Sequence, residues 1–258
     1  MTLAQAVILG GLQGLTEFLP VSSSAHLVIV QYWFRLQGPA LLVFDVAVHL
    51  GTLSAVLVYF AKDLFPITKL GKRMLGMIVL ATIPTGVIGL LLKHRIDYFF
   101  STLKPVSIAL LVNSLILWST HCIRSDSNRR MGRWLDAILI GIVQGLSVVP
   151  GVSRSGSTIS AALWLKLHRE DAVRFSFFIS IPAILGATVI VLPDAVALLP
   201  GFSLPVLLTG VLTAFVTGYF SISILFRMVF RGKLHWFAVY TLLLAAAAFF
   251  FSMGGAKP

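Results

Sequence analysis

The chain has 258 residues, 58% of them hydrophobic and only 11% charged, whereas a soluble domain carries about 25% charged residues. That disparity excludes an ordinary cytosolic globule. The net charge of +11, from 20 Lys and Arg against nine Asp and Glu, would alone admit nucleic acid as a partner, but the apolar content argues against it, and a single cysteine, Cys122, excludes a disulfide framework or a cysteine metal cluster.

The first element, residues 1–36, is apolar but broken at its centre by Pro20, Ser22, Ser23 and Ser24. No Lys or Arg occurs in the first 12 residues, and Gln13 and Glu17 interrupt the apolar run, so it does not read as a cleavable signal peptide. Its arms, 5–18 and 25–36, are each about 20 Å long as helix, too short to cross a ~30 Å hydrocarbon core but long enough to reach its middle. A re-entrant helical hairpin is the expectation, since non-helical backbone at that depth must line a cavity or be buried in protein. Three full spans follow, 41–60, 74–92 and 105–121. Residues 134–166 form a second broken segment, and 175–192, 205–226 and 236–253 complete six spans.

Basic residues orient these spans, because loops retained in the cytoplasm are rich in Lys and Arg. Four groups hold 14 of the 20: Lys62, Lys69, Lys72 and Arg73; Arg124, Arg129, Arg130 and Arg133; Lys166, Arg169 and Arg174; and Arg227, Arg231 and Lys233. Placing all four inside makes the six spans alternate correctly, with both termini outside. Arg35, Lys93, Arg95, Lys104 and Lys257 then fall outside. Trp33, Trp118, Trp134, Trp164 and Trp236 stand near expected helix ends, as an aromatic belt requires.

The two broken segments resemble each other. A shift of 131 sets QGLTEFLPVSSSAH from Gln13 on QGLSVVPGVSRSGS from Gln144 and matches six of 14 positions; the same shift sets Phe44 on Phe175, and a shift of 132 sets Thr85-Gly86 on Thr217-Gly218. An internal duplication is the expectation. Three spans separate the copies, so the second half is inverted relative to the first, and the hairpin tips converge at mid-membrane, where inverted-repeat proteins hold their substrate. The fold class expected is an all-α polytopic membrane protein with an inverted-topology repeat: one membrane domain, 1–258, with repeat one about 1–121 and repeat two about 132–255.

Glu17 is one of two glutamates, the other being Glu170 in a basic turn. A carboxylate among Leu15, Phe18 and Leu19 is costly unless paired, coordinated or protonated. Gln13, four residues earlier on the same helical face, makes with it a pair of oxygen-bearing groups suited to a hard divalent cation. Pro20 ends the helix, and Ser22, Ser23 and Ser24 supply N-caps for the next, with His26 near its first turn. Pro150-Gly151 and Ser153, Arg154, Ser155, Gly156, Ser157 and Thr158 repeat the device. A helix N-terminus flanked by hydroxyls and an Arg is a phosphate site. The expected phosphate ligands are Ser22, Ser24, Ser153, Arg154, Ser155, Gly156 and Thr158; the expected catalytic groups are Glu17, Ser23, His26 and Arg154, a hydroxyl attacking phosphorus while Arg and N–H groups hold the developing charge. Asp45 and His49, one turn apart, read either as a supporting pair or as inter-helical packing. Asp136, His94, His121, His168 and His235 read as solvated or interfacial.

The run from Gln13 to His26, with Pro150 to Thr158, resembles the bacterial undecaprenyl-pyrophosphate phosphatase family associated with bacitracin resistance, and length and hydropathy agree over the whole chain. The resemblance implies conversion of undecaprenyl diphosphate to the monophosphate carrier for cell-wall synthesis, with a divalent cation, Mg²⁺ or Ca²⁺, in the bacterial inner (plasma) membrane, and a site open to the periplasmic side. By the same resemblance Glu17 holds the second acidic position of a Glu/Gln-x-x-x-Glu motif and binds metal or activates the attacking group. Gln13 stands at the first position, where many members have Glu. Ser23 matches the proposed nucleophile, His26 the motif histidine and Arg154 the arginine that binds diphosphate, while Ser24 and Ala25 replace a frequent Thr-Gly. Ser23, His26 or an activated water could deliver the attack. The partners expected are a prenyl diphosphate lipid and membrane lipids, with a homodimer open and nucleic acid excluded. The rival reading is a carrier-like flippase that returns lipid phosphate across the membrane.

Overall fold

The computed structural model describes residues 1–36, 38, 40–100, 103–123, 129–199 and 202–253. Arg124 and Lys257 lie outside them, and so do the side chains of Lys69, Lys93, His94 and Arg95. Among the described residues the chain forms eleven α-helices: α1 (Leu3–Phe18), α2 (Ser23–Trp33), α3 (Ala40–Tyr59), the short α4 (Ala61–Leu64), α5 (Gly71–Phe100), α6 (Leu103–Ser119), α7 (Trp134–Leu146), α8 (Arg154–Trp164), α9 (Arg169–Leu198), α10 (Leu204–Phe230) and α11 (Trp236–Met253). No strand occurs among them, only an isolated bridge between Arg129 and Leu167.

Six of these helices are long and apolar enough to cross a bilayer: Leu41–Tyr59, Gly71–Leu92, Leu103–Cys122, Arg169–Leu198, Leu204–Phe230 and Trp236–Met253. They coincide with the six expected spans, and the architecture is that of a multi-pass membrane protein. Their outward faces carry exposed Leu91, Phe220 and Phe250, a surface that lipid covers without cost. Trp33, Trp118, Trp134, Trp164 and Trp236 are all exposed and stand at or within one residue of a helix end.

The remaining apolar stretches are broken as the prolines require. α1 opens on a capping box between Thr2 and Gln5 and stops where Leu19 turns extended ahead of Pro20. Ser22 then takes φ 68°, a left-handed conformation that redirects the chain into α2. In the second segment Gly151, at φ 106°, makes the same reversal.

Close packing of backbone on backbone fixes the outer arms. α1 lies along α10 and α7 along α5, while α6 runs beside α11 and α3 beside α10 and α9. A Cβ on Gly10 would stand 2.5 Å from the Gly210 carbonyl oxygen, and one on Gly141 2.3 Å from that of Ala81. One turn on, a Cβ on Gly14 would stand 2.5 Å from the Ala214 carbonyl oxygen and one on Gly145 2.8 Å from Ile88 Cβ, so each arm uses a Gly-x-x-x-Gly face, the small-residue surface by which apolar helices approach closely. Beneath the breaks sits an aromatic floor, with Phe177 5.3 Å from Phe18 and 5.4 Å from Phe60 between ring centroids.

Two local readings need correction. The Ser22 hydroxyl makes no cap hydrogen bond to α2; it accepts one from the Gly151 N–H instead, at 3.1 Å, because the left-handed backbone turns it across to the second segment. Asp136, read as solvated or interfacial, is buried. Arg129 donates to both its carboxylate oxygens, at 2.6 and 3.2 Å, and that pairing makes burial of the charge tolerable.

Candidate active site

The loops between α1 and α2 and between α7 and α8 meet, and Glu17 is the group on which they converge. Gln13, five residues before the end of α1, donates from Nε2 to Glu17 Oε2 at 3.0 Å, the one-turn geometry expected of the pair. Ser23, the first residue of α2, donates its Oγ–H to the same oxygen at 2.6 Å. Arg154, the first residue of α8, reaches from the opposite loop and pairs through Nη2 with Glu17 Oε1. From α3, His49 Nε2 stands 3.7 Å from Oε2, its ring oriented by Nδ1–H donating to the Asp45 carbonyl at 2.7 Å. A buried carboxylate is thus held by one cation, two hydrogen-bond donors and an imidazole, which offsets the cost of its desolvation.

The site has an accessible rim. Glu17 is 9% exposed, but Ser23, Ser24, Arg154 and His49 are only partly buried, so a phosphate could reach the hydroxyl, the guanidinium and the imidazole together. Helices α2 and α8 both begin at this cluster, at Ser23 and Arg154. The Gly156 N–H is occupied by the Ser153 hydroxyl at 3.2 Å, the cap expected of Ser153, which leaves the earlier first-turn amides of α8 for an anion.

Other expected site residues lie off this cluster. His26 has other partners: Nδ1–H donates to the Ser22 carbonyl at 2.7 Å and Nε2 accepts from the Tyr240 hydroxyl at 2.7 Å, with the two rings stacked. Thr158 is fully buried and bonded to the Arg154 carbonyl and to the Ser176 hydroxyl. Ser22, Ser153 and Ser155 are buried, and their hydroxyls make contacts within and between the loops. Gly156 lets the loops close, because a Cβ there would stand 3.0 Å from Pro20 Cβ. Asp45 is held by Gln31 at 2.7 Å and reaches Glu17 only through His49.

The sequence matches the family described as bacitracin resistance protein BacA over residues 6–247. The chain belongs to the BacA family. Relatives of this BacA-family chain include an undecaprenyl-diphosphatase of Alkaliphilus metalliredigens, 39% identical over 98% of the chain and 100% of the relative. One from Treponema denticola is 42% identical over 93% of the chain and 94% of the relative, and one from Carboxydothermus hydrogenoformans is 43% identical over the same shares. These relatives carry the name of a hydrolase, not of a transporter.

Two residues of the BacA-family site stand out only in the structure. His49 faces the Glu17 carboxylate directly, where the sequence left it open between support and packing. Asn113 of α6 was not singled out, yet it touches both loops. A lone amide in an otherwise apolar helix was the available signal. Among the described residues no group of three or more His, Cys, Asp or Glu side chains forms a ready metal-ligand set.

Proposed function

We propose that this chain hydrolyses undecaprenyl diphosphate to undecaprenyl phosphate and orthophosphate, recycling the lipid carrier and conferring bacitracin resistance. The observation that carries the chemistry is the Ser23 hydroxyl donating to Glu17 Oε2 at 2.6 Å while Arg154 holds the other carboxylate oxygen. It is the arrangement of a hydroxyl nucleophile beside its base, with a cation aimed at the phosphoryl group.

In this reading Ser23 Oγ bonds to the terminal phosphorus as the bond from that phosphorus to the bridging oxygen breaks. Undecaprenyl phosphate leaves, and the hydroxyl proton passes to Glu17. Water then attacks the phosphoserine phosphorus, the Ser23 oxygen leaves and regains its proton from Glu17, and orthophosphate departs. Arg154 and the amides at the start of α8 balance the charge on the equatorial oxygens in both steps. With both its ring nitrogens engaged, His26 acts by holding the Ser22 carbonyl, and therefore the turn that presents Ser23.

A divalent cation fits the donors present. Gln13 turns Nε2 to the Glu17 carboxylate and leaves Oε1 buried without a hydrogen-bond partner among the described residues; with the amide turned over, the two groups would offer a hard cation the carboxylate and amide oxygens it takes. Glu17 and Gln13 would hold the ion, and when bound it would neutralise charge on the diphosphate.

The broken segments act in this proposal as re-entrant hairpins of an inverted repeat. Support comes from the matched packing, with Gly10 and Gly14 against α10 answered by Gly141 and Gly145 against α5. The grouping of basic residues supports a site on the extracytoplasmic side of the bacterial plasma membrane, with the lipid tail among the outward apolar faces. Purified protein should release phosphate from undecaprenyl diphosphate, and a chelator should suppress that release. A protein that releases none with either Mg²⁺ or Ca²⁺ supplied overturns the proposal.

A further inference from the structure

α6 is apolar through its middle apart from Asn113 and Ser114. Asn113 is completely buried, and an amide taken out of water costs free energy unless its donor and acceptor are both used. Both are used here, on backbone groups far apart in sequence. Nδ2 donates to the Pro20 carbonyl at 3.1 Å, and Oδ1 accepts from the Ser153 N–H at 2.9 Å. The orientation of the amide follows from its partners, since a carbonyl can only accept and a backbone N–H can only donate.

The positions of those partners give the contact its meaning. Pro20 lies three residues before Ser23, and Ser153 immediately precedes Arg154. One side chain therefore ties the loop that carries the hydroxyl to the loop that carries the guanidinium. α6 is a firm post for this tie. It presses on the second loop so closely that a Cβ on Gly151 would stand 2.6 Å from Ala109 Cβ, and Ser114 anchors it to α11 by donating to the Ala238 carbonyl at 2.8 Å. Besides the Arg154–Glu17 pair, the described residues link the loops by the 3.1 Å bond from Gly151 to Ser22 and the longer 3.4 Å contact from Ser155 to Leu19.

We propose that Asn113 is a positioning residue for the hydrolysis: its carboxamide sets the register of the two loops, and with it the placement of Arg154 relative to Ser23 and Glu17. The inference rests on the phosphatase reading above. Asn113 does not touch the substrate, so its loss acts on turnover more than on binding. A displacement of about 1 Å between reacting groups can cost on the order of 100-fold in rate.

The test compares wild type, Asn113→Leu and Asn113→Asp as purified full-length protein, with phosphate release from undecaprenyl diphosphate measured across pH and the thermal midpoint measured for each. Asn113→Leu removes both hydrogen bonds and should lower kcat about ten- to a hundred-fold with KM within about two-fold. Asn113→Asp keeps the acceptor for Ser153 but can donate to Pro20 only while its carboxyl is protonated. Its activity relative to wild type should therefore climb as pH falls. Glu17, Arg154 and His49 of the neighbouring site, and His26 and Tyr240 on the helices α2 and α11 that pack against α6, are common to all three proteins, so their own titration enters both sides of that ratio. Wild-type kcat in Asn113→Leu, or an Asn113→Asp activity that stays a constant fraction of wild type at every pH, overturns the inference. Should Asn113→Leu fail to fold, the Asn113→Asp ratio decides alone. Absence of phosphate release by wild type would instead overturn the phosphatase reading.

Discussion

Arg154 and Glu17 hold each other where burial makes an unpaired charge costly, and in the proposed reaction each group has a second task once a diphosphate arrives. Arg154→Ala should lower phosphate release by about 100- to 1,000-fold, the loss seen when one preorganised donor is taken from a developing oxyanion. Arg154→Lys should recover little of it, since an ammonium is a point charge without the planar fork that grips carboxylate and phosphate together. Glu170→Ala is the control. Its carboxylate lies 3.0 Å from Arg174 and 3.8 Å from Arg130, well away from Glu17, and its loss should leave release within about two-fold of wild type, the effect of a surface ion pair. Glu17, Ser23 and Arg154 were legible in the sequence because charge and hydroxyl clusters in an apolar run are energetically conspicuous. Asn113 was not. A lone amide in an apolar helix is a signal, but its partners are backbone groups 93 and 40 residues away, and backbone partners leave no side-chain pattern that says what it binds.

The helices follow from simple causes: apolar runs of spanning length, and prolines and serines where a run must break. α1 and α10 add a packing requirement that a helix pattern does not display. Gly10→Val would drive a side chain into the Gly210 backbone, and overpacking of this kind costs about 1–3 kcal/mol; the thermal midpoint in detergent should fall. Gly86→Ala, in α5 with nothing within 4 Å of the added Cβ, should leave the midpoint unchanged or raise it, because Ala is favoured over Gly in a helix by up to about 1 kcal/mol. The burial of Asp136 escaped the sequence reading for a related reason. Its partner Arg129 lies in a polar connector, and nothing in local sequence says that the connector folds back over α7 to pair with it and over the end of α8 to bond the Leu165 carbonyl.

As a whole the molecule brings two broken segments, some 130 residues apart, into one polar cluster inside an apolar bundle. The basic groups predict which side that cluster opens to. With Cys122, which is exposed, replaced by Ser, a single cysteine at Ser24 should react with a membrane-impermeant maleimide added to intact cells, and one at Arg130 should react only after the cells are opened. The reverse pattern would invert the proposed topology. Purified wild-type protein supplied with undecaprenyl diphosphate and a divalent cation should release orthophosphate and leave undecaprenyl monophosphate, and Glu17→Gln, which keeps the shape but removes the base, should lower that rate by at least about 100-fold; a wild type that releases no phosphate, or a Glu17→Gln protein as active as wild type, would contradict it.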